Sequence, residues 1–328
     1  MATYKAEALH QRYRRRLRPR SHYALGQLPR WARLTQPVAP LANAVLRVGP
    51  VQRLAKAAAG IDQRRSVPAF ARRPLRRWAR GTERAASPGS TYDVVVWADS
   101  FTDGFASDTG RAAVAVLEAA GLRVGVITEA ACCGLTWVST GQLAAARRIL
   151  GHTLDVLHPY VARGVPVVGL EPSCLATLRS DAVELTGDPR AVEVAAGVRT
   201  LAELLAGLPG WVPPDLTGTT VVVQPHCHHA SVLGWAADAA LLERTGAEVT
   251  RVGGCCGLAG NFGVEQGHYE VSVAVAEHDL LPAVRAAGPD AVVLADGFSC
   301  RTQLDDLADV RALHLSELLA AGAPGAAR

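Results

Sequence analysis

The sequence predicts an α/β fold of two pseudo-symmetric repeats, each a small parallel sheet with flanking helices, preceded by a basic helical N-terminal segment. Three observations support this. Short β-branched runs alternate with Ala- and Leu-rich stretches, which is typical of strands and helices that follow one another. The same order of elements occurs twice along the chain. Each of the seven cysteines comes shortly after a predicted strand.

The N-terminal segment, residues 1–90, differs from the rest of the chain in charge. It contains 18 Arg, 2 Lys and 3 acidic residues, a net charge of +17, whereas the remainder has 14 basic and 27 acidic residues, a net charge of −13. Residues 41–58 form an apolar helical stretch, and 85–90 have the composition of a linker. We expect this basic arm to pack on an acidic partner or on an anionic membrane surface. No nucleic-acid-reading motif accompanies the charge, so nucleic acid is not an expected partner.

The two repeats are predicted at 91–180 and 219–328, joined by a helical connector at 181–218. Each repeat begins with a strand, a helix and a second strand. These elements are predicted at 92–97, 107–120 and 123–128 in the first repeat, and at 220–224, 229–246 and 248–252 in the second. The connector contains a helix predicted at 191–208 and ends in a turn rich in proline.

A Cys-Cys-Gly triplet follows the second strand of each repeat, and a longer helix, a third strand and a single cysteine complete the unit. The longer helices are predicted at 142–163 and 268–287, and the third strands at 166–170 and 291–295. Because the carboxyl ends of parallel strands meet at one edge of a sheet, we expect the cysteines of each repeat to converge there. Thiols that were only small core residues would not keep this position in both repeats.

The two sets of thiols differ in number. The first set is Cys132, Cys133 and Cys174. The second set is Cys227, Cys255, Cys256 and Cys300. Ser100 stands in the first repeat where the second has Cys227. Four thiolates are the usual complement of a cubane [4Fe–4S] cluster. We therefore predict a cluster at the second set. The first set would hold a second, incomplete cluster or join a shared site.

Zinc is an alternative metal for these cysteines. Cys255, Cys256 and Cys300, together with Cys227 or a neighbouring histidine, would make a closed tetrahedral zinc site. A further alternative is that the cysteines are buried core thiols or form a vicinal disulfide, although neither explains their matching positions in the two repeats.

Three side chains beside the cysteines are candidates for proton transfer: His226, His228 and Glu171. On extended backbone the two histidines would point away from Cys227, where they would donate to cluster sulfur, to a bound substrate or to quinone, or make ordinary hydrogen bonds at the strand end. Glu171 lies near Cys174, and it would either transfer protons or cap the following helix.

The composition limits where the protein works. No apolar run approaches the roughly 20 residues that a membrane-spanning helix requires. The chain starts without a secretory signal, and an odd number of cysteines fits a reducing compartment. We expect a cytoplasmic protein, with peripheral contact at the inner face of the membrane as a further expectation.

These motifs resemble the cysteine-rich CCG domain family. That domain occurs in the catalytic subunit of heterodisulfide reductase and in the iron–sulfur subunits of glycolate oxidase and anaerobic glycerol-3-phosphate dehydrogenase. The strongest resemblance is to the C-terminal third of fused flavin and iron–sulfur oxidases that act on D-2-hydroxy acids such as D-lactate or D-2-hydroxyglutarate. The matching stretches are Arg18-Pro-Arg-Ser-His-Tyr-Ala-Leu-Gly26, Glu171-Pro-Ser-Cys174, His226-Cys-His228, Cys255-Cys-Gly-Leu-Ala-Gly-Asn-Phe-Gly263 and Ala295-Asp-Gly-Phe-Ser-Cys-Arg301. The family closes each repeat with Cys-x-x-Cys, whereas this chain has Glu171 and Gly297 at the first position of the pair. That difference argues against the five-thiol, non-cubane cluster of heterodisulfide reductases.

The resemblance implies an iron–sulfur electron-transfer module of a flavin-dependent 2-hydroxy-acid oxidoreductase system of the D-lactate, glycolate or D-2-hydroxyglutarate type. FAD would lie on a partner dehydrogenase subunit or on N-terminal domains that this chain lacks, because the chain has no flavin-site signature and no ferredoxin-like cysteine run. The chain would be a separately encoded subunit or a fragment of a longer oxidase. Two other functions stay open: a zinc-stabilised docking protein without redox chemistry, and a terminal disulfide or quinone reductase acting at an open-site cluster.

Overall fold

The computed structural model describes residues 2–322, and it has the predicted alternation of short parallel strands and helices. The strands are β1 (Ala85–Ala86), β2 (Val94–Trp97), β3 (Val124–Ile127), β4 (Val167–Val168), β5 (Val198–Arg199), β6 (Thr220–Val223), β7 (Glu248–Arg251) and β8 (Val292–Leu294). The helices of the basic arm are α1 (Ala2–Arg12), α2 (Arg20–Ala24), α3 (Leu28–Thr35), α4 (Ala39–Leu46), α5 (Gly49–Ala59) and α6 (Leu75–Ala79).

The remaining helices flank the two sheets. Those of the first repeat are α7 (Ser100–Gly104), α8 (Ser107–Ala119), α9 (Leu135–Ser139), α10 (Leu143–Val161) and α11 (Pro172–Arg179). Those of the connector are α12 (Asp181–Thr186), α13 (Pro189–Gly197) and α14 (Leu201–Ala206). Those of the second repeat are α15 (Ala236–Arg244), α16 (Tyr269–His278), α17 (Leu280–Ala287), α18 (Phe298–Ala308) and α19 (Leu315–Gly322). A π-helical turn at His229–Leu233 precedes α15. None of the helices between residues 2 and 322 combines the length and apolar character that crossing a membrane requires.

Each repeat contributes one parallel sheet, as the sequence predicted. The first sheet has the strand order β1-β3-β2-β4-β5, and its central strand β2 is fully buried. The second has the order β7-β6-β8, with β6 between an exposed edge strand and β8. In both sheets the first predicted strand of the repeat lies between the second and the third, so the two repeats share one topology. The predicted fold class is confirmed.

The first sheet is wider than predicted at both edges. Ala85–Ala86, which has the composition of a linker, pairs with β3 as the edge strand β1. At the other edge, the helix predicted at 191–208 is instead α13, the strand β5 and α14. Thr200 begins α14 with a capping box in which Thr200 and Glu203 satisfy each other's backbone N–H groups. This cap fixes a new helix start inside the predicted helix.

Two helices predicted in the second repeat are interrupted. The stretch 229–246 consists of the π-helical turn and α15, and Gly234 between them has a positive φ of 85°. The stretch 268–287 is broken at Asp279 into α16 and α17. Pro282 lies in the first turn of α17, where a proline is tolerated.

The basic arm packs on both repeats through arginine side chains. Arg18 donates hydrogen bonds to the carbonyls of Thr140 (2.7 Å) and Gly141 (2.9 Å) in the first repeat. Arg65, which is 1% exposed, donates to Gln303 Oε1 and Ser272 Oγ in the second, both at 2.7 Å. Some of the arginines of the arm therefore form hydrogen bonds that attach the arm to the two repeats.

The two repeats share a hydrophobic core. The C-terminal helix α19 packs against α8 of the first repeat, with Leu318 and Leu319 in the same buried cluster as Val114 and Leu117. Two hydrogen bonds reinforce the contact: Ser316 Oγ donates to the Thr109 carbonyl at 2.9 Å, and His314 Nε2 lies 3.0 Å from the carbonyl of residue 170.

Candidate metal centres

The two Cys-Cys-Gly triplets have the same backbone conformation. In both, the glycine has a positive φ, 73° at Gly134 and 88° at Gly257. In both, the glycine N–H donates to the sulfur of the first cysteine, at 3.5 Å to Cys132 and 3.4 Å to Cys255. Glycine is the residue that adopts this left-handed conformation without strain. The triplets therefore form equivalent turns at the carboxyl ends of β3 and β7.

The first set of thiols is mostly buried. The sulfurs of Cys133 and Cys174 are 3.0 Å apart, and their side chains are buried. Cys132 is half-buried; its hydrogen bond with Cys133, followed by burial, raises the pKa of its thiol, and a hydrogen bond with the Ser100 side chain partly opposes that rise. The serine that replaces a cysteine in the first repeat is thus in contact with this site.

The second set extends to the surface. Cys256 and Cys300 are buried, Cys255 is half-buried, and Cys227 is exposed. The side chains of Cys256 and Cys300 are in hydrogen-bonding contact, and Cys227 lies close enough to Cys255 for each thiolate to disfavour the other. Cys300 is in the first turn of α18, as Cys174 is in the first turn of α11. The structure brings the four predicted residues together at one edge of the second sheet.

Both sites disfavour free thiolates. Burial raises the pKa of Cys174 and of Cys227 above the usual value for a thiol. The hydrogen bond with Cys256, followed by burial, raises the pKa of Cys255. Thiolates at these positions therefore require a compensating positive charge, which a metal centre supplies, and the positive ends of α11 and α18 act in the same direction.

The sulfurs of each set form close pairs. Those of Cys133 and Cys174 are 3.0 Å apart, and Cys256 contacts both Cys255 and Cys300. Zinc–thiolate bonds of about 2.3 Å place the sulfurs of a tetrahedral site about 3.8 Å apart. Four cysteine thiolates are also the usual complement of a [4Fe–4S] cluster. The cysteine positions are therefore compatible with both metals.

Glu171 joins the two sites. Its Oε2 accepts a hydrogen bond from the backbone N–H of Phe298 at 2.8 Å, and its Oε1 accepts one from Ser173 at 2.7 Å. Phe298 is the first residue of α18, so Glu171 caps the helix that carries Cys300. The sequence suggested a cap for the helix that follows Glu171 itself. The structure shows a cap for the equivalent helix of the other repeat.

The histidines beside Cys227 are placed differently from the prediction. The chain is not extended here but begins the π-helical turn, so His226 does not point away from Cys227. Its Nδ1 lies 4.0 Å from Cys227 Sγ and accepts a hydrogen bond from the His228 backbone N–H at 3.2 Å, which leaves Nε2 to donate to Ser299 Oγ at 3.3 Å. Burial lowers the pKa of His226 to about 3, so this histidine is neutral at physiological pH.

Sequence reasoning missed a cavity of about 500 Å³ between the basic arm and the first site. Cys132 and Ser100 line it, and Arg30, Arg33 and Arg148 surround it. Within the described part of the chain these three arginines have no carboxylate partner, whereas Arg76 nearby pairs with Asp103 at 2.6 Å. The arginines come from separate segments, so no local motif marks the cavity.

Asp99 is a second residue that the sequence did not identify. It is fully buried, and its Oδ1 lies 3.9 Å from Cys174 Sγ. Burial raises the pKa of Asp99 to about 6. Its carboxylate also accepts hydrogen bonds from the first turn of α7, so it serves as the N-cap of that helix.

Comparison with known proteins agrees with this geometry. Residues 99–179 and 235–305 match the family model of the cysteine-rich domain CCG. Each repeat therefore contains a stretch that is similar to the CCG cysteine-rich domain.

Several curated proteins are similar to the chain. It is 28% identical to a subunit of the anaerobic glycerol-3-phosphate dehydrogenase of Escherichia coli (strain K12) over 302 residues, which cover 88% of this chain and 73% of that protein. It is 30% identical to D-2-hydroxyglutarate dehydrogenase of the same strain over 156 residues, 46% of this chain and 15% of that protein. The D-2-hydroxyglutarate dehydrogenase of Pantoea ananatis (strain AJ13355) is 27% identical over 168 residues, 50% of this chain and 16% of that protein. The predicted family resemblance is confirmed, and the relatives are dehydrogenases or subunits of one.

Proposed function

We propose that this chain is an iron–sulfur electron-transfer module of a flavin-dependent dehydrogenase system. The observation that carries the proposal is the second cysteine set: four thiols at the carboxyl edge of one parallel sheet, the usual number of protein ligands for a cubane cluster. Similarity to a dehydrogenase subunit over 88% of the chain supports the assignment.

Cys227, Cys255, Cys256 and Cys300 would hold the cluster. A [4Fe–4S] cluster bound there would take up and release one electron at a time. The buried Cys256 and Cys300 would shield one side of the site from water. The exposed Cys227 would face the protein surface, where a partner delivers or receives electrons. Of the candidates for proton transfer, His226 lies beside Cys227 and would transfer protons there. Glu171 is less available for this role, because both of its carboxylate oxygens already accept hydrogen bonds.

The flavin would lie on a partner dehydrogenase subunit or domain, which would oxidise a 2-hydroxy acid of the D-lactate, glycolate or D-2-hydroxyglutarate type. Two of the relatives are D-2-hydroxyglutarate dehydrogenases, which supports this substrate class. Because another relative is a subunit of a glycerol-3-phosphate dehydrogenase, assays of the assembled system would include glycerol 3-phosphate as a competing candidate.

The test is metal and sulfide analysis with EPR on protein purified without oxygen. The wild type is expected to contain iron and acid-labile sulfide, and Cys256→Ser is expected to lose the signal of the second site. Cys133→Ser, the matched change in the first repeat, would leave that signal in place. Zinc bound by the cysteines without sulfide would contradict the proposal and favour a docking protein.

The cavity beside the first site favours a second candidate function, a terminal reductase. Three thiols and Ser100 leave one ligand position of a cubane without a cysteine, and Cys132 and Ser100 both line the cavity. A disulfide or a quinone would reach the site from there. Reduction of either acceptor by the chemically reduced chain, without a flavoprotein, would support this candidate. If neither acceptor is reduced, the terminal reductase is excluded and the electron-transfer module remains as the proposed function.

The basic arm would bind an anionic membrane surface. Along α3, α4 and α5, the apolar side chains of Leu34, Leu41 and Leu54 are between 60% and 72% exposed, next to the unpaired arginines of the same segment. Exposed apolar side chains beside positive charge are typical of helices that lie in a membrane interface. Co-sedimentation with vesicles of anionic lipid, but not of neutral lipid, would support this. Reduced binding is expected for Leu41→Asp and not for the exposed Val212→Asp in the connector.

A further inference from the structure

A buried polar cavity in the second repeat lies apart from the cysteines. It has a volume of about 10 Å³, roughly the space of one water molecule. His229 of the π-helical turn, Asp238 of α15 and Asp296 after β8 line it. His229 and Asp238 are 2% and 3% exposed, and Asp296 is half-buried.

The three side chains converge as metal ligands do. His229 Nε2 lies 3.0 Å from Asp238 Oδ2, and one ligand atom from each of the three residues lies within 4.8 Å of the others. Ligand atoms about 2 Å from a shared ion are separated by about 3 Å when they are adjacent in an octahedral arrangement. The 3.0 Å separation of His229 Nε2 and Asp238 Oδ2 matches that of two adjacent ligands.

Gln224 gives an independent indication of a ligand. It is 1% exposed and lines the same cavity. Its Nε2 donates to the carbonyls of Pro225 (3.0 Å) and Gly254 (3.3 Å), which fixes the orientation of the amide. Its Oε1 is buried and has no hydrogen-bond partner among residues 2–322. Buried acceptors are nearly always satisfied, so this oxygen indicates that an occupant of the cavity is missing.

Charged groups of both signs surround the cavity. The carboxylates of Asp238 and Asp296 line it. His314 Nε2 lies 3.6 Å from Asp296 Oδ1, and Arg301 donates to the Asp296 carbonyl. The indications of an ion are therefore the convergence of the ligand atoms and the buried Gln224 Oε1.

We infer that His229, Asp238 and Asp296, with Gln224 Oε1, form a binding site for one divalent transition-metal ion of the zinc type. One imidazole and several oxygen ligands suit Zn²⁺ and the similar Co²⁺. The ligands come from separate elements, so the ion would link the π-helical turn to α15 and to the end of β8. Because Cys227 lies two residues before His229, the ion would also hold that cysteine at the second site. Zinc found in the purified protein could then be bound at this site, so its presence alone would not show that the cysteines bind zinc.

The test uses Co²⁺ as a spectroscopic probe on the full chain, purified without oxygen and with its iron–sulfur content measured separately. We expect about one cobalt ion per chain after desalting. We also expect the visible absorption of nitrogen and oxygen ligands, without the intense near-ultraviolet band of cobalt thiolates. The spectrum of the wild type alone already decides between the two ligand sets, even where a variant fails to fold.

Variants locate the ion. Asp238→Asn is expected to weaken cobalt binding at least tenfold, and Asp215→Asn, an exposed aspartate in a surface turn, to leave it unchanged. Cys255→Ser is expected to retain the ion while it alters the iron content. No retained cobalt, or a thiolate band that disappears in Cys255→Ser and persists in Asp238→Asn, would overturn the inference. Neither result would affect the iron and sulfide measurement on which the electron-transfer proposal depends.

Discussion

The two cysteine sites have one scaffold and different ligands. Both have a glycine turn after the second strand and a cysteine in the first turn of a helix after the third strand. They differ at the end of the first strand, where the first repeat has Ser100 beside a cavity and the second has Cys227 on the surface. The two repeats thus share the backbone that brings the cysteines together. The residue at the end of the first strand sets the number of thiols and the access of solvent to the site. A single residue distinguishes a three-thiol from a four-thiol site.

The substitution with the largest expected effect on this comparison is Ser100→Cys. A thiol at this position would lie beside Cys132, as Cys227 lies beside Cys255, and would complete a four-thiol set in the first repeat. We expect additional iron and sulfide, up to about four iron atoms per chain, measured by chemical analysis and EPR. Ser107→Cys, at a buried serine of the same repeat, is the control and should add none. Unchanged iron in Ser100→Cys would mean that the two sites are not equivalent.

The second test compares the two triplet glycines. A Cβ at Gly257 would lie 2.2 Å from the Ser272 carbonyl oxygen, whereas a Cβ at Gly134 would have its nearest neighbour, the Ala146 carbonyl oxygen, at 3.5 Å. Gly134→Ala should cost about 1 kcal/mol for its left-handed backbone alone. Gly257→Ala should cost about 3 kcal/mol or more, because the backbone must also shift. Urea unfolding of both variants measures the difference. Equal losses would show that the second turn relaxes freely.

The third test concerns the contact between the sites. Glu171→Ala removes the cap of α18 and leaves the Phe298 N–H and Ser173 hydroxyl without their acceptor, so we expect a loss of about 2 kcal/mol in the free energy of unfolding. Glu171→Gln keeps one acceptor oxygen and should cost less. Glu184→Ala on the exposed face of α12 is the control for losing a carboxylate, with an expected change below about 0.5 kcal/mol. A loss in Glu171→Ala no larger than that of the control would exclude a role in joining the repeats.

The sequence predicted the repeats, the order of strands and helices and the cysteine positions, because each of these is a local pattern. Runs such as 94–97 are apolar and β-branched, and each triplet begins four or five residues after a strand ends. The remaining features depend on contacts between distant residues. The cap from Glu171 reaches a helix start 127 residues later, and the cavity at Cys132 is completed by arginines of the basic arm.

Pro282 did not by itself predict the break at Asp279, because α10 continues through Pro159. The π-helical turn had no local signal either, since Gly234 alone does not specify it. The prediction that His226 points away from Cys227 was wrong for this reason: it assumed extended backbone where the turn begins.

The position of α19 on α8 has a consequence for the synthesis of the protein. Translation produces the first repeat, including α8, about 200 residues before the helix that covers it. During that interval the apolar face around Leu117 has no cover from Leu318 and Leu319. A nascent chain therefore exposes that face until the ribosome releases the C-terminus. A stop codon that removes α19 would uncover apolar surface in the early half of the molecule.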